Sequence, residues 1–125
     1  MRPPTSIDLI GQDVWSDESP LYKLAVKDKV QSVILWGPAG SGKTSLAHLI
    51  GKMSKRKIVV MSAVTEGVVK IRKVIEQSIN SKSINKGRHF LFMDELHRLN
   101  RAQQDVLLPG IEQGSVRFIG ATTEN

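Results

Sequence analysis

Blocks of apolar residues alternate with polar linkers along the chain, and their spacing switches between that of strands and that of helices. Short apolar runs bounded by turn residues are typical of buried strands. They predict four strands, at Ser32–Trp36, Lys57–Met61, His89–Met93 and Val116–Gly120. Apolar residues at helical spacing predict four helices, beginning near Pro20 and covering Lys43–Met53, Glu66–Ile79 and Asn100–Leu108. This alternation favours a parallel sheet covered on both faces.

Some finer features of the pattern also lead to expectations. The first helix is predicted to bury one face, formed by Leu21, Leu24 and Ala25. Thr65 and Asn100 stand just before predicted helices and are residue types that cap helix starts. Residues 1–19 are rich in Pro, Asp and Ser and are interpreted as an extended lead-in, while Ser81–Gly87 is predicted to be a polar loop.

Composition narrows the class of protein. A chain of 125 residues has the size of one ordinary domain. Its longest apolar runs are four residues, whereas a membrane-spanning helix needs about 18 or more, so we expect no membrane partner. The chain has no cysteine, which excludes disulfides, thiolate zinc sites and a cysteine nucleophile.

The net charge of +6 is unevenly distributed. Residues 19–93 carry 14 Lys and Arg against three Asp and Glu, while the two flanks carry four against nine. A basic centre suggests a polyanionic partner, but a solvated lysine-rich surface would have the same composition. The same two interpretations hold for the basic turn, which could contact DNA phosphates and consists of Lys52, Lys55, Arg56 and Lys57.

The segment from Gly37 to Thr44 matches the phosphate-loop pattern G-x-x-x-x-G-K-[ST] in full. It follows an apolar strand and opens an amphipathic helix, as such loops do. Glycines let the backbone amides turn toward phosphate oxygens, and the helix presents its positive end to the same anion. We expect Lys43 to reach the β- and γ-phosphates and Thr44 to place its hydroxyl on Mg²⁺.

Two strand ends carry further candidate chemistry. Asp94 and Glu95 follow the apolar run Phe90–Met93. Beside a phosphate loop, Asp94 would face Mg²⁺ through water and Glu95 would polarise the attacking water as a general base. The segment Arg117–Asn125 is a strand that ends in polar residues, where a hydroxyl or amide could hold that water or sense the γ-phosphate.

Several segments together resemble the AAA+ ATPase superfamily, and within it the replication-associated recombination protein A (RarA) family with its eukaryotic Werner-helicase-interacting relatives. In the family's order, these segments are Ile34–Pro38, the phosphate loop, Met61–Thr65, Asp94–Asn100, Gln103–Asp105, Leu108–Pro109 and Phe118–Asn125. The stretch Ile10-Gly11-Gln12 is similar to the region just before the family's ATPase core.

The resemblance implies roles for individual residues. Lys43, Glu95 and Thr123 would be catalytic, Thr123 at the sensor-1 position with Thr122 as the next candidate. Thr44 and Asp94 would be the Mg²⁺ ligands. The nucleotide-binding set would be Gly37, Pro38, Ala39, Gly40, Ser41, Gly42, Lys43, Thr44, Ser45 and Gln12. His97 and Arg98 fall in the family's signature after the acidic pair, with no role assigned to them.

The implied fold is a three-layer αβα sandwich of the P-loop NTPase type. Residues 1–19 would be its lead-in, and 20–125 a partial ATPase domain that stops before the fifth strand and the helical lid. Family members continue with an arginine finger, a sensor-2 arginine and an oligomerisation domain. In the family's strand order, loss of the fifth strand would leave Val33–Trp36 at a sheet edge, from which we expect self-association.

The implied function is Mg²⁺-dependent ATP hydrolysis at replication forks, weak in this chain because the arginine finger is missing. Expected partners are ATP and ADP, DNA, further copies of the parent protein and possible replication proteins. The expected location is cytoplasmic in a bacterium and nuclear in a eukaryote. Two alternatives stay open: a nucleotide-switched interaction module without significant hydrolysis, and a small P-loop kinase, which the paired carboxylates disfavour.

Overall fold

The computed structural model describes residues 20–80 and 89–124, together with the backbone of residues 5–8. The predicted loop Ser81–Gly87 and the predicted nucleotide contact Gln12 lie outside these residues. Within the described part, no helix is long and apolar enough to cross a membrane.

The described strands form one parallel sheet in the order β1-β2-β5-β4-β3. Their bounds are Thr5–Asp8 for β1, Ser32–Trp36 for β2, Ile58–Ser62 for β3, Phe90–Asp94 for β4 and Arg117–Thr122 for β5. The four strands predicted from the apolar runs are therefore confirmed to within two residues at each end. In the sheet, Trp36 lies opposite Thr122 and Ser62 opposite Asp94, so the carboxyl ends of these strands meet at one edge.

In the described ranges, four α-helices connect or precede the strands. They are α1 over Pro20–Val26, α2 over Lys43–Ser54, α3 over Val68–Asn80 and α4 over Arg101–Glu112, and one turn of 3₁₀ helix spans Leu96–Arg98. Helix α4 runs past the predicted end at Leu108 and contains Pro109. Its extra turn is held by packing, because Gly110 lies so close to α3 that an added Cβ would be 3.0 Å from Ile75 Cδ1.

Two expectations about the helices were wrong and one is confirmed. Leu24 is 39% exposed, so only Leu21 and Ala25 bury the inner face of α1. Thr65 does not cap α3; its hydroxyl donates to the carboxylate of Glu66 at 3.3 Å, and the helix begins three residues later. Asn100 does cap α4, since its side chain accepts from the Gln103 amide at 2.8 Å.

The two faces of the sheet are covered by different helices, which confirms the three-layer arrangement. Side chains alternate along β4: Phe90 and Phe92 pack with α1 and α2, while Leu91 and Met93 pack with α3 and α4. All four are fully buried. Burying one such side chain stabilises the fold by about 1.5–3 kcal/mol, so β4 anchors both cores and fixes where its carboxyl end lies.

The expectation that the strand before the phosphate loop lies at a sheet edge was wrong. Strand β1 pairs with β2 in parallel, with Thr5 opposite Val33 and Asp8 opposite Trp36. Four residues of the predicted lead-in thus cover the edge that was to promote self-association. The outer strands of the described sheet are β1 and β3.

Candidate functional site

The loop between β2 and α2 has the backbone shape that its glycines allow. Gly40 and Gly42 have φ values of 79° and 89°. A Cβ added at either glycine would meet no atom within 4 Å. Glycine is therefore needed at these two positions because the backbone is left-handed, a conformation that glycine adopts without steric cost. A lack of space for a side chain is not the reason.

The first turn of α2 leaves its backbone amides open. The first amides of any helix have no partner within that helix. Gly42 is the N-cap of α2, and among the described residues no side chain caps this start. Helix α4 is the opposite case, because Asn100 and Gln103 cap each other's backbone amides at 2.8 Å. The open amides and the positive end of the helix dipole favour an anion at α2.

Lys43 is held inside the loop that precedes it. Its ammonium donates to the carbonyl of Gly37 at 2.6 Å, to the carbonyl of Pro38 at 2.9 Å and to the hydroxyl of Ser41 at 3.4 Å. These three neutral acceptors use all three donors of the ammonium. A phosphate oxygen would be a stronger partner, because its negative charge adds Coulomb attraction to the ammonium that the neutral acceptors do not supply.

Glu95 has an uncommon backbone conformation. Its φ is 56° and its ψ is 44°, in the left-handed region. Its amide donates to the Asp94 carboxylate at 2.9 Å. A residue other than glycine in this region costs of order 1–3 kcal/mol, and such residues cluster at functional sites. The left-handed conformation of Glu95 turns the chain sharply from β4 into the 3₁₀ turn.

The 3₁₀ turn is fastened to the end of β5. His97 Nδ1 and Thr122 Oγ1 are hydrogen-bonded at 2.8 Å, and the Glu124 amide donates to the same hydroxyl at 3.0 Å. Leu96 lies against Gly120, where an added Cβ would be 2.7 Å from Leu96 Cδ2. These contacts set the position of Glu95 relative to the residues that end β5. A role for His97 could not be predicted from the sequence, because no local pattern links positions 25 residues apart.

Most of the predicted site residues line one cleft at the carboxyl edge of the sheet. The cleft has a volume of about 410 Å³ and is lined by Ala39, Gly40, Ser41, Gly42, Lys43, Thr44, Ser45, Asp94, Glu95 and Thr123. Gly37 and Pro38 are not in this lining and contribute the carbonyls that hold Lys43. Thr123 is exposed and faces the cleft, whereas Thr122 is buried and hydrogen-bonded within the protein.

The cleft has the donor set for a metal ion that is shared with phosphates. Among the described residues, no group of three or more His, Cys, Asp or Glu side chains could hold a metal ion. Thr44 and Asp94 nevertheless supply a hydroxyl and a carboxylate to one cleft. Mg²⁺ is bound in this way, by one or two protein oxygens together with substrate phosphates and water. The residues present therefore fit Mg²⁺ together with a nucleotide.

The class of protein follows from the fold and the cleft: a P-loop nucleotide-binding fold with helices on both faces of a parallel sheet. A sequence model of the AAA family, described as ATPases associated with various cellular activities, matches residues 33–125. The chain belongs to this family.

Individual relatives confirm the resemblance seen in the sequence. Replication-associated recombination protein A of Escherichia coli K12 is 44% identical over the whole chain, and ATPase WRNIP1 of Dictyostelium discoideum is 45% identical. The chain spans 28% of the first protein and 14% of the second. Among solved structures, the Holliday junction branch migration motor RuvB of Thermotoga maritima matches with a TM-score of 0.64 and 33% identity. That match covers 83% of this chain and 35% of the other.

Proposed function

We propose that this domain binds ATP with Mg²⁺ and hydrolyses the bond between the β- and γ-phosphates. One observation carries the proposal: a single cleft brings together the phosphate loop, the Asp94–Glu95 pair and Thr123. These groups come from the ends of three different strands, and the register of the sheet holds them at one edge. Membership of an ATPase family supports the same activity.

Each residue has a task in this reaction. The loop amides and Lys43 bind the β- and γ-phosphates and neutralise charge that builds up on them. Thr44 and Asp94 would hold Mg²⁺, which supplies further neutralisation of phosphate charge when bound. Glu95 accepts a proton from water as the water oxygen bonds to the γ-phosphorus and the bond to the bridging oxygen breaks. Thr123 orients the water or the γ-phosphate.

The test is release of inorganic phosphate from ATP by the wild type and two variants. We expect Lys43→Ala to lose both binding and hydrolysis. Glu95→Gln should bind ATP nearly as the wild type does but hydrolyse it about 10²–10⁴-fold more slowly, the usual contribution of a general base. Glu112→Gln is the matched control, because Glu112 is exposed at the end of α4 and lies away from the cleft. Unchanged hydrolysis by Glu95→Gln would refute the proposed mechanism.

A second candidate is a nucleotide-switched interaction module. The observation in its favour is that none of the described residues lining the cleft is an arginine, so Lys43 is the one cationic side chain in that lining that could meet the γ-phosphate charge. An arginine supplied by a partner is worth about 10³–10⁵ in rate in related hydrolases. We therefore expect slow turnover by this chain. If Glu95→Gln left every ATP-dependent property unchanged, the module would be the better description.

The names of the relatives support a role in replication-associated recombination, with DNA as the partner. We propose that the protein acts at replication forks as a homo-oligomer, in the cytoplasm of a bacterium or the nucleus of a eukaryote. Replication proteins are further proposed partners. The first test of this role is whether DNA changes the rate of ATP hydrolysis, and a rate indifferent to every DNA structure would count against it.

A further inference from the structure

At the amino edge of the sheet, away from the cleft, two similar tripeptides meet. Lys27-Asp28-Lys29 follows α1, and Lys55-Arg56-Lys57 lies between α2 and β3. Their central residues form a two-pronged ion pair, Arg56 Nε to Asp28 Oδ1 at 2.7 Å and Arg56 Nη2 to Asp28 Oδ2 at 2.8 Å. This pair brings the two segments together, and with them the four lysines that flank its members.

Arg117 also binds the carboxylate of this ion pair. Its Nη1 donates to Asp28 Oδ1 at 3.0 Å and to the carbonyls of Asp28 and Val30 at 2.9 Å. The side chains of the three charged residues are at most 14% exposed. The charge of Asp28 is thus neutralised inside the protein, and Arg56, part of the predicted basic turn, is not available to a partner.

The lysines that flank the ion pair differ from its members in their exposure to solvent. Lys27, Lys29, Lys55 and Lys57 are all exposed, and together we call them the lysine face. Asp28 is the one acidic residue in the sequence from 19 to 65, so the segments that form the face offer no other carboxylate to balance these charges. Nearby, α2 and α1 are joined by the Ser54 hydroxyl, which donates to the Ala25 carbonyl at 3.2 Å. The two helices that precede the face are therefore joined to each other.

We propose that the lysine face binds the phosphate backbone of DNA. Lysines act on phosphates as point charges, and the face exposes no arginine fork of the kind that reads base edges. Binding should therefore depend on salt and not on sequence. Nucleic acid fits better than an anionic membrane, because the six residues of the two tripeptides hold no apolar side chain for insertion into lipid.

The inference deepens the proposed role in DNA processing but does not depend on ATP hydrolysis. The cleft lies at the carboxyl ends of the strands, whereas the lysine face lies at their amino ends, next to the starts of β3 and β5. Nucleotide and DNA could therefore be bound at the same time, on opposite edges of one sheet.

The experiment measures the anisotropy of a labelled DNA duplex at several salt concentrations. The test variant replaces Lys27, Lys29, Lys55 and Lys57 with Gln. The control variant replaces Lys70, Arg72, Lys73 and Arg101 with Gln; these residues are also exposed, and the net charge falls by the same amount. Each phosphate contact contributes about 0.9 to the slope of log K against log salt. We expect the slope of the test variant to fall by about 3–4 and its affinity to fall at least about tenfold, with less than about threefold loss in the control.

Several outcomes would overturn the proposal. They are equal losses in the test and control variants, absence of DNA binding by the wild type, or tighter binding to phosphatidylserine vesicles than to DNA. Calorimetric ATP binding by the test variant should match the wild type, which separates failure of this face from failure of the proposed ATPase site. The single variant Lys57→Gln, with an expected slope change of about 1, replaces the fourfold variant if circular dichroism shows that the latter is unfolded.

Discussion

Polar residues cluster at both edges of the sheet. Their hydrogen-bonding groups are satisfied within the protein at one edge and are open to a ligand at the other. At the amino edge, Asp28, Arg56 and Arg117 satisfy one another within 3.0 Å. At the carboxyl edge, the α2 amides have no cap, and the cleft exposes Thr44 and Thr123. A polar cluster therefore does not by itself mark a functional site. The functional site is at the carboxyl edge, where hydrogen-bonding groups and charge are left for a ligand. The amino-edge cluster of Asp28, Arg56 and Arg117 stabilises the fold.

The largest expected effect that separates the two edges comes from Asp28→Asn. This change leaves two buried guanidinium groups without their carboxylate, and breaking a buried ion pair costs about 3–5 kcal/mol. Asn also tolerates the left-handed backbone of Asp28, whose φ is 59°. A loss of stability would therefore come from the missing charge and not from backbone strain. Urea unfolding should show a large drop in the free energy of unfolding.

Lys43→Ala is the reciprocal variant at the other edge. It should abolish ATP binding while lowering the free energy of unfolding less than Asp28→Asn does, because it removes hydrogen bonds to neutral acceptors and breaks no buried ion pair. If Asp28→Asn were as stable as the wild type, the amino-edge cluster would not be structural and the comparison would fail.

Gly120→Ala should have the next largest effect. The new Cβ would lie 2.7 Å from Leu96 Cδ2 and 3.0 Å from Phe118 Cε2. Overpacking of this kind costs about 1–3 kcal/mol, and displacement of Leu96 would move the turn that carries Glu95. We expect lower stability in thermal unfolding and slower hydrolysis. Gly51→Ala is the control, since its Cβ would be no closer than 3.4 Å to any neighbour; equal effects of the two changes would contradict this account.

A smaller effect is expected where His97 meets Thr122. An Asn side chain places its amide near the position of Nδ1, whereas Gln reaches toward the position of Nε2. His97→Asn should therefore preserve the bond to Thr122, and His97→Gln should lose it. A hydrogen bond contributes about 1 kcal/mol, which corresponds to about fivefold in rate if it all acts on positioning. Single-turnover hydrolysis compares the two variants, and similar rates would show that the bond does not position Glu95.

The smallest effect is a pH dependence at the amino edge. Burial, and then the positive charge of Lys57, lower the pKa of His89 from its ordinary value of 6.5. His89 Nδ1 has no hydrogen-bond partner among the described residues. Below pH 6.5 the unfolded chain therefore binds a proton that the folded protein resists, and the free energy of unfolding falls as the pH drops.

His89→Gln tests this pH dependence, because it removes the group that titrates. The difference in free energy of unfolding between pH 7.5 and pH 5.5 should be smaller in the variant than in the wild type. A pH profile that the substitution leaves unchanged would assign the acid sensitivity to other groups.

Local signals explain what could be predicted from the sequence. The phosphate loop and the Asp94–Glu95 pair are contiguous patterns, and each lies next to an apolar strand whose burial is evident from its residues alone. Their convergence on one edge follows from parallel strand pairing, which strand–helix alternation already predicts. For this reason most of the residues that line the cleft are ones that the sequence patterns single out.

Contacts between distant residues explain what could not be predicted. Strand β1 pairs Thr5 with Val33, although Thr5–Asp8 is too short and too polar to stand out as a strand. Arg117 meets Asp28 across 89 residues and Arg56 meets it across 28, with no periodicity to indicate either contact. Sequence patterns report the environment of an element, whereas such pairings depend on where the folded sheet brings the chain.

The carboxyl-edge cleft is tested most directly as the nucleotide site by calorimetric titration of ATP and Mg²⁺ into the wild type, Lys43→Ala and Lys57→Gln. We expect micromolar binding by the wild type, about −8 kcal/mol, and the same affinity in Lys57→Gln, because Lys57 lies at the amino edge. Lys43→Ala should show no binding. A folded wild-type chain that does not bind ATP, or a Lys43→Ala variant that binds it normally, would contradict the assignment of the carboxyl-edge cleft as the nucleotide site.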